Sequence, residues 1–397
     1  MRLVLPSSTS CGARKVCQSV TRRHAEASLA TTSRRTRISL LRTNASSSSN
    51  ENTEEVGGSI AEKGNTTTSQ STSFLSDMSS FLEEDLKHLF DETGIDRNIY
   101  ADDVKFEDPI TRYDSIDGYL FNIQMLRYLF TPEFILHTIK EVNETTLETR
   151  WTMNMKLRIL PWQPDLIYTG TSQYEFDLNT KKVVRHSDTW DSIENQEYFS
   201  VEGLRDVVKQ ASNLQQTPEL ETPKYTTLVR SRDYEIRQYD SYIVCETNTS
   251  SSDVTTGDGF NTLAGFIFGN NEKEEKMNMT TPVYTTSPKG GDNEGKAKMQ
   301  FVIEKSKYES TKDVPAAGTD NVAIKEAMGA VCAAMSVPGL PLESDVREVE
   351  SKLRKALAQD GIEVEEGYEL ARYNEPFVLP PFRRNEVLIR LKNFTLK

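Results

Sequence analysis

The spacing of apolar residues divides the chain into helical and strand-like segments. Apolar side chains recur every three to four residues from Leu75 to Leu89, which predicts an amphipathic helix. A second helix is predicted from Ser115 until Pro132 ends it. The period then changes to two, which predicts strands over 134–142, 146–159, 165–177 and 182–191. Helices followed by long antiparallel strands favour an α+β domain with a curved sheet wrapped onto the helices.

Helical spacing returns at 201–214 and predicts a helix that closes this first domain, with an apolar face formed by Val201, Leu204, Val208 and Ala211. A short stretch with a proline and no apolar period, 215–221, marks a linker. Beyond it the chain is again α+β, with sheet dominating. The predicted strands are 225–230, 233–239, 242–248, 279–287, 299–305, 321–327, 330–336, 367–373 and 385–392, and the predicted helices are 258–268 and 343–359.

The first 50 residues carry nine Lys and Arg against a single acid, Glu26, and are rich in Ser and Thr. This composition is typical of an organelle transit peptide, and Pro6 interrupts the apolar start too early for a secretory signal. The serine run at 46–49 favours a plastid, with the stroma as the expected compartment and the mitochondrion as the alternative. Residues 51–72 contain few apolar side chains and predict a disordered linker, so the first domain is expected to span 73–214.

The remainder of the chain holds 38 basic and 59 acidic residues. A body this acidic argues against nucleic acid as a partner. No stretch of the sequence reaches the roughly 18 apolar residues that a transmembrane helix requires. Cys245 and Cys332, which lie beyond the leader, lack the spacing of a zinc site or of a disulfide framework, and we expect buried, unreactive thiols. No metal site is predicted.

Histidine occurs only at positions 24, 88, 137 and 186. The C-terminal half therefore has no imidazole to offer as a catalytic base or as a ligand of haem iron. The sequence also lacks C-x-x-C-H, which excludes covalent attachment of a c-type haem, and it lacks the nucleotide-binding, serine-hydrolase and zinc-protease motifs.

Four blocks of the C-terminal half occur in the order seen in one known family. They are PKY (223–225) with YEIRQY (234–239), GFNTL (259–263) with FIFGNN (266–271), KMNMTTPV (276–283), and LARYNEP (370–376) with LPPFRRNEV (379–387). Together they resemble the SOUL haem-binding family over about 222–397. The resemblance implies a distorted β-barrel of two similar halves, each with a helix packed on its sheet.

The same resemblance implies reversible, non-covalent binding of haem or protoporphyrin in an apolar groove beside helix 258–268. The side chains expected to meet the macrocycle are Phe260, Leu263, Ile267, Phe268, Met277 and Met279, and Arg383 or Arg384 is expected to pair with the propionates. Apolar residues at helical spacing fit a packed core equally well, and the two arginines fit braces of the last strand. A methionine, Cys245 or a tyrosine as an axial ligand is a weaker alternative.

The N-terminal domain carries FEDPI (106–110), RW (150–151), LPW (160–162), GTS (170–172) and HSDTWD (186–191). Over about 75–200 it resembles a plant and algal domain of unknown function, which is similar to the nuclear transport factor 2-like cone fold. Some cone folds are isomerases or dehydratases with a buried acid or a His–Asp pair, so Asp108, His186 and Asp188 are candidate catalytic residues. A hydrogen-bonded, purely structural His and Asp is the alternative.

The combined prediction is a plastid carrier or buffer of haem or a related tetrapyrrole, with proteins of tetrapyrrole metabolism as possible further partners. Two alternatives stay open. One is an enzyme of isomerase or dehydratase type that works through the cone pocket, and the other is a non-catalytic interaction protein.

Overall fold

The computed structural model describes residues 66–288 and 295–396. The predicted leader and residues 51–65 of the predicted linker lie outside these ranges. Within them the chain forms a six-stranded sheet in its N-terminal half and a nine-stranded sheet in its C-terminal half, each covered by helices, so the predicted α+β class is confirmed. None of the helices in these ranges is both long enough and apolar enough to cross a bilayer.

Among the described residues, the N-terminal half contains three α-helices and two 3₁₀ turns, one of which is Arg97–Ile99. Helix α1 spans Thr66–Asp85 and continues as a 3₁₀ turn, Leu86–His88. Its first turns include residues 66–72, which the composition had assigned to the disordered linker. Helix α2, Ile116–Leu129, begins where it was predicted, because the Ser115 hydroxyl accepts a hydrogen bond from the Gly118 N–H at 3.2 Å. Helix α3 spans Val201–Ala211.

The N-terminal sheet has the strand order β2-β1-β6-β5-β4-β3. Its strands are β1 Tyr100–Glu107, β2 Arg112–Tyr113, β3 Phe130–Asn143, β4 Thr146–Leu157, β5 Asp165–Asp177 and β6 Lys182–Trp190. The four long strands predicted from the sequence are confirmed. Pro132, expected only to end α2, lies inside β3. This is tolerated because β3 is at the edge of the sheet, where a missing N–H costs little.

The C-terminal sheet is antiparallel and has the order β12-β9-β11-β10-β14-β15-β13-β8-β7. Its strands are β7 Tyr225–Arg230, β8 Glu235–Tyr239, β9 Tyr242–Asn248, β10 Val283–Thr286, β11 Lys298–Val302, β12 Ala323–Ala327, β13 Val331–Ser336, β14 Glu369–Arg372 and β15 Asn385–Arg390. Helices α4, Phe260–Ile267, and α5, Glu343–Gln359, complete it. Each predicted element of this half is present.

The strand order reveals the two similar halves that the resemblance implied. From β8 to β11 and again from β12 to β15, the chain runs strand, strand, helix, strand, strand. The halves meet at β10 and β14, and each sends its first strand to pair with the other half. The sheet curls into a half-barrel and keeps two edges, β7 and β12, instead of closing.

Strand β7 also joins the two halves of the chain. Its main chain lies on β4 and β5, where the Thr152 hydroxyl donates to the Thr227 carbonyl at 2.5 Å and the Thr169 hydroxyl accepts from the Arg230 N–H at 2.7 Å. Arg150, which is ion-paired with Asp191, donates to a further carbonyl of β7. The N-terminal and C-terminal domains are therefore held together by directional polar contacts.

Candidate functional site

Helix α4 rests directly on the C-terminal sheet. A Cβ atom at Gly259, the residue before the helix, would lie 2.9 Å from the Thr247 Cγ2 atom and 3.2 Å from the Met299 Cβ atom. Only glycine therefore allows the helix to begin this close to β9 and β11. The close approach buries one face of α4 against the sheet.

The structure separates the six apolar side chains predicted for the macrocycle into two groups. Leu263, Ile267 and Met277 are buried in the core between α4 and the sheet. Phe260, Phe268 and Met279 are 38 %, 55 % and 39 % exposed. We call these three exposed residues the α4 rim. Only the rim lies where an external ligand can reach it, and the buried three are positioned to support it from below.

Both predicted propionate partners already have protein partners. Arg383 donates to the carbonyl groups of Pro376 and Val378, and so braces the loop before the last strand. Arg384 donates to Glu386 at 2.9 Å and lies 4.1 Å over the Tyr373 ring. A propionate would have to compete with these contacts.

Glu386 is the centre of a buried charge cluster that the sequence analysis missed. It accepts two hydrogen bonds from Arg237, at 2.7 and 2.9 Å, and one from the Tyr373 hydroxyl at 2.8 Å. Burial by itself would raise the pKa of Glu386, but the charges of Arg237 and Arg384 outweigh burial and hold it well below its ordinary value. The available signal was that Glu386 shares a strand face with the apolar Leu388, and Arg237 shares one with Tyr239.

A cleft of about 1050 Å³ lies between the two domains. Its lining combines aromatic side chains with charged ones, including Trp162, Tyr225, Tyr234, Phe382, Lys209, Arg237, Arg384 and Glu386. Arg384 is thus shared with the predicted haem site, but no residue of the α4 rim reaches this cleft. The cleft is a second location with room for a ligand of macrocycle size.

Two of the three candidate catalytic residues of the N-terminal domain are in direct contact. The Nε2 atom of His186 lies 2.9 Å from Oδ1 of Asp188, and Ser172 donates to the same oxygen at 2.6 Å. The parallel pairing of β1 with β6 sets Phe106 opposite His186. Asp108 follows directly after β1 and lies near enough to Asp188 for the charge of Asp188 to raise its pKa.

This cluster lies in a tightly packed interior. The His186 ring stacks on Tyr174 at 4.2 Å and meets Phe106 and Tyr119 edge-on at 5.1 and 5.2 Å. Although Nε2 is close to Asp188, the angle is unsuited to a hydrogen bond, so both ring nitrogens are buried without a hydrogen-bond partner among the described residues. Such a site has the chemical groups for proton transfer, but its aromatic walls restrict access.

Asp108 is the member of this group whose pKa is clearly shifted. Burial raises its pKa to about 6 and the charge of Asp188 adds to the effect, while hydrogen bonds from Thr111 and Ile110 oppose it. The Asp108 carboxyl is therefore able to exchange a proton near neutral pH. Across residues 66–288 and 295–396, no three His, Cys, Asp or Glu side chains are grouped closely enough to hold a metal ion.

Comparison with known families shows which family the C-terminal domain matches. Residues 220–390 match the family described as SOUL heme-binding protein. We call residues 220–390 the SOUL domain, after the family model that they match. The resemblance seen in the four sequence blocks is thereby confirmed, and the assignment supports a haem-type tetrapyrrole as the ligand of the SOUL domain. Residues 76–186 match a family described as an uncharacterized conserved protein (DUF2358).

Solved structures resemble parts of the chain at low identity. An NTF2-like protein of unknown function from Exiguobacterium sp. 255-15 is 16% identical, with a TM-score of 0.24 over 28% of this chain and 99% of its own. A SnoaL-like polyketide cyclase candidate from Shewanella putrefaciens CN-32 is 14% identical, with a TM-score of 0.25 over 36% and 96%. The EcmrR C-terminal domain is 10% identical, with a TM-score of 0.30 over 43% and 99%. No curated protein matches the chain.

Proposed function

We propose that this protein binds haem or a related tetrapyrrole reversibly and acts as its carrier or buffer in a plastid. The observation that carries the proposal is the match of residues 220–390 to the SOUL heme-binding family. The plastid assignment is supported by the basic, hydroxyl-rich leader. A carrier must release its cargo, and a domain without histidine suits that role because it cannot form a strong imidazole–iron bond.

We place the macrocycle on the α4 rim, since Phe260, Phe268 and Met279 are the predicted contact residues that remain exposed. A micromolar Kd corresponds to about −8 kcal/mol. At about 25 cal/mol per Å², this requires on the order of 330 Å² of apolar surface to leave water. A flat ring can supply such an area only by covering several rim residues at once, so loss of the two phenylalanines should weaken binding strongly.

Titration of haem and of protoporphyrin IX into the full chain tests this proposal. We expect a saturable change of the Soret band at micromolar ligand, weakened at least tenfold by Phe260→Ser combined with Phe268→Ser. Phe382→Ser is a matched control, because Phe382 has the same exposure as Phe260, 37 % against 38 %, but lines the interdomain cleft.

The outcomes of the titration separate the alternatives. A wild-type chain that gives no saturable Soret change overturns tetrapyrrole binding and leaves the enzyme and the non-catalytic interaction protein as the alternatives. Binding that is lost in Phe382→Ser and retained in the rim variant would move the macrocycle into the interdomain cleft.

A second candidate function is proton-transfer chemistry of isomerase or dehydratase type in the N-terminal domain. The contact between His186 and Asp188, together with the raised pKa of Asp108, favours it. The test is exchange of deuterium from D₂O into the α position of a small cyclic ketone, followed by NMR. A deuterium exchange rate that the wild type raises above the rate in buffer, and that Asp108→Asn does not raise, supports the activity. A wild-type exchange rate equal to that in buffer excludes it.

A further inference from the structure

Helix α3 presents three of its apolar side chains to solvent, although Val207 and Ala211 of the same helix pack on the apolar core of the N-terminal domain. Its buried positions are Gly203, Asp206 and Gln210, whereas Val201, Leu204 and Val208 are 66 %, 51 % and 59 % exposed. A surface helix of a globular protein ordinarily shows the opposite arrangement, with the apolar residues against the core. The reversed orientation of α3 therefore requires a physical cause.

The cause is a set of polar contacts on the inner side of α3. Arg230 of strand β7 donates two hydrogen bonds to Asp206, at 2.8 and 3.0 Å. The Gln210 side chain accepts from the Ile167 N–H at 2.8 Å and donates to Asp206 at 3.2 Å. Rotating the helix to bury Val201, Leu204 and Val208 would leave the buried Arg230 guanidinium without its counter-ion, so the ion pair fixes the orientation.

The exposed apolar surface continues beyond the helix. Tyr198 and Phe199, which precede α3, are 46 % and 68 % exposed, with ring centroids 6.2 Å apart. Phe199 has a φ of +61°, in the left-handed region that bulky residues rarely occupy. The next residue, Ser200, donates its N–H to the Pro109 carbonyl at 2.7 Å, which anchors this conformation. We call Tyr198, Phe199, Val201, Leu204 and Val208 together the apolar stripe.

The size of the apolar stripe argues against a protein partner. Eleven helical residues extend about 16 Å at 1.5 Å per residue. With a width near 10 Å, comparable to one helix, the stripe covers on the order of 200 Å², against the roughly 800 Å² that each partner contributes to a stable protein interface. A short helix with a strong polar–apolar division instead suits a lipid surface, where it lies in the plane and buries its apolar side between headgroups and acyl chains.

Charges next to the stripe are close to balanced. Glu202 is paired with Arg232 at 2.8 Å and Asp206 with Arg230, so neither acid presents a free charge. The exposed charges that remain near the stripe are Glu194 and Glu197 against Arg205 and Lys209, none of which has an ion-pair partner within the described ranges. Lipid binding should therefore depend on apolar insertion and respond weakly to salt.

We propose that the apolar stripe is a lipid-docking surface, which holds the protein at a membrane or lipid-droplet interface without spanning it. The aromatic pair Tyr198 and Phe199 would sit at headgroup depth, where amphipathic rings are favoured. Val201, Leu204 and Val208 would enter the upper acyl region. This inference does not depend on tetrapyrrole binding.

The test is flotation of the full chain with small unilamellar vesicles of phosphatidylcholine. A neutral lipid is required because the basic leader would bind anionic vesicles through charge. We expect the wild type to float with the vesicles, and the triple variant Val201→Gln, Leu204→Gln, Val208→Gln to lose at least tenfold of the bound fraction. The matched control Leu342→Gln, Phe377→Gln, Leu379→Gln, whose side chains are 68 %, 79 % and 65 % exposed in the SOUL domain, should stay within twofold of the wild type.

Three results would overturn the proposal: a wild type that stays unbound, a stripe variant that floats like the wild type, or a control that loses binding equally. A wild-type dimer that the stripe variant converts to monomers without lipid would also overturn it, in favour of self-association.

A tryptophan substitution, Leu204→Trp, gives a measurement of insertion that does not depend on the glutamine substitutions. Its added fluorescence should shift to the blue with vesicles and be quenched by brominated acyl chains, and an unchanged emission would contradict insertion.

Discussion

Arg230, at the end of the first strand of the SOUL domain, forms a two-point ion pair with Asp206, in the last helix of the N-terminal domain. Both side chains are about nine-tenths buried. The pair thus links the N-terminal domain to the SOUL domain, and it also explains why α3 turns Val201, Leu204 and Val208 outward. Removing one partner should destabilise both domains together.

We expect Asp206→Asn and Arg230→Gln each to lower the free energy of unfolding by about 3–5 kcal/mol, because each leaves an unpaired buried charge. Replacing both residues together, as Asp206→Leu with Arg230→Met, should recover much of this loss. The measurement is urea unfolding at neutral pH. Arg232→Gln is the control, since it breaks the exposed pair with Glu202 and should cost less than about 1 kcal/mol. Equal losses in the control and the buried variants would contradict this account.

The Glu386 cluster predicts a dependence of stability on acid pH. Arg237 and Arg384 depress the folded-state pKa of Glu386, so its stabilising contribution is complete above the ordinary glutamate value of about 4.3 and is lost as pH falls below it. Glu386→Gln should therefore destabilise the protein by several kcal/mol at neutral pH, and the difference from the wild type should narrow in more acidic solution. Urea unfolding at about pH 7 and about pH 3.5 checks this, and a difference that stays constant with pH would contradict it.

For Asp108 we predict that stability depends on pH in the opposite direction. Its folded-state pKa, about 6, lies above the ordinary aspartate value, so the folded state favours the protonated carboxyl and loses stability as pH rises towards 6. Asp108→Asn should be more stable than the wild type at neutral pH, by on the order of 1–3 kcal/mol, with the gain disappearing below about pH 4. Because the carboxyl is partly exposed, the lower end of this range is expected. Thermal unfolding across pH measures the gain, and a wild type that is more stable than the variant at pH 7 would exclude the raised pKa.

Much of the fold could be predicted because local periodicity and the four family blocks agreed. Strand β1 was missed, since Asp102 and Asp103 interrupt its apolar alternation. Both residues are exposed, at the irregularity between Tyr100 and Lys105 where the pairing with β6 shifts register. Helix α3 was predicted within three residues, but the direction of its apolar face was not. That direction depends on Arg230, a residue of another domain, and no local pattern reports such a contact.

The candidate haem site shows the same limit at the level of single side chains. Helical spacing identified Leu263 and Phe268 as apolar, but spacing cannot tell whether the covering surface is protein or ligand. The structure distinguishes them, because Leu263 faces the sheet and Phe268 faces solvent. Likewise, Arg384 was predicted as a possible cation for propionates, but its neighbour Glu386, two residues along the chain, already pairs with it. The further contact of Glu386 with Arg237 joins residues 149 positions apart in sequence, and no local pattern reports it.

The absence of histidine from the SOUL domain makes a further prediction about ligand choice. If shape and apolar contact supply the affinity, iron contributes little, and protoporphyrin IX should bind within about tenfold of ferric haem, a difference of roughly 1.4 kcal/mol. Added imidazole should enter the iron's open position and shift the Soret band of bound haem without displacing it. Fluorescence titration of protoporphyrin IX and absorbance titration of haem give the two constants. Haem binding that exceeds protoporphyrin binding a hundredfold would mean that a side chain such as Met279 ligates the iron, and Met279→Leu should then abolish the excess.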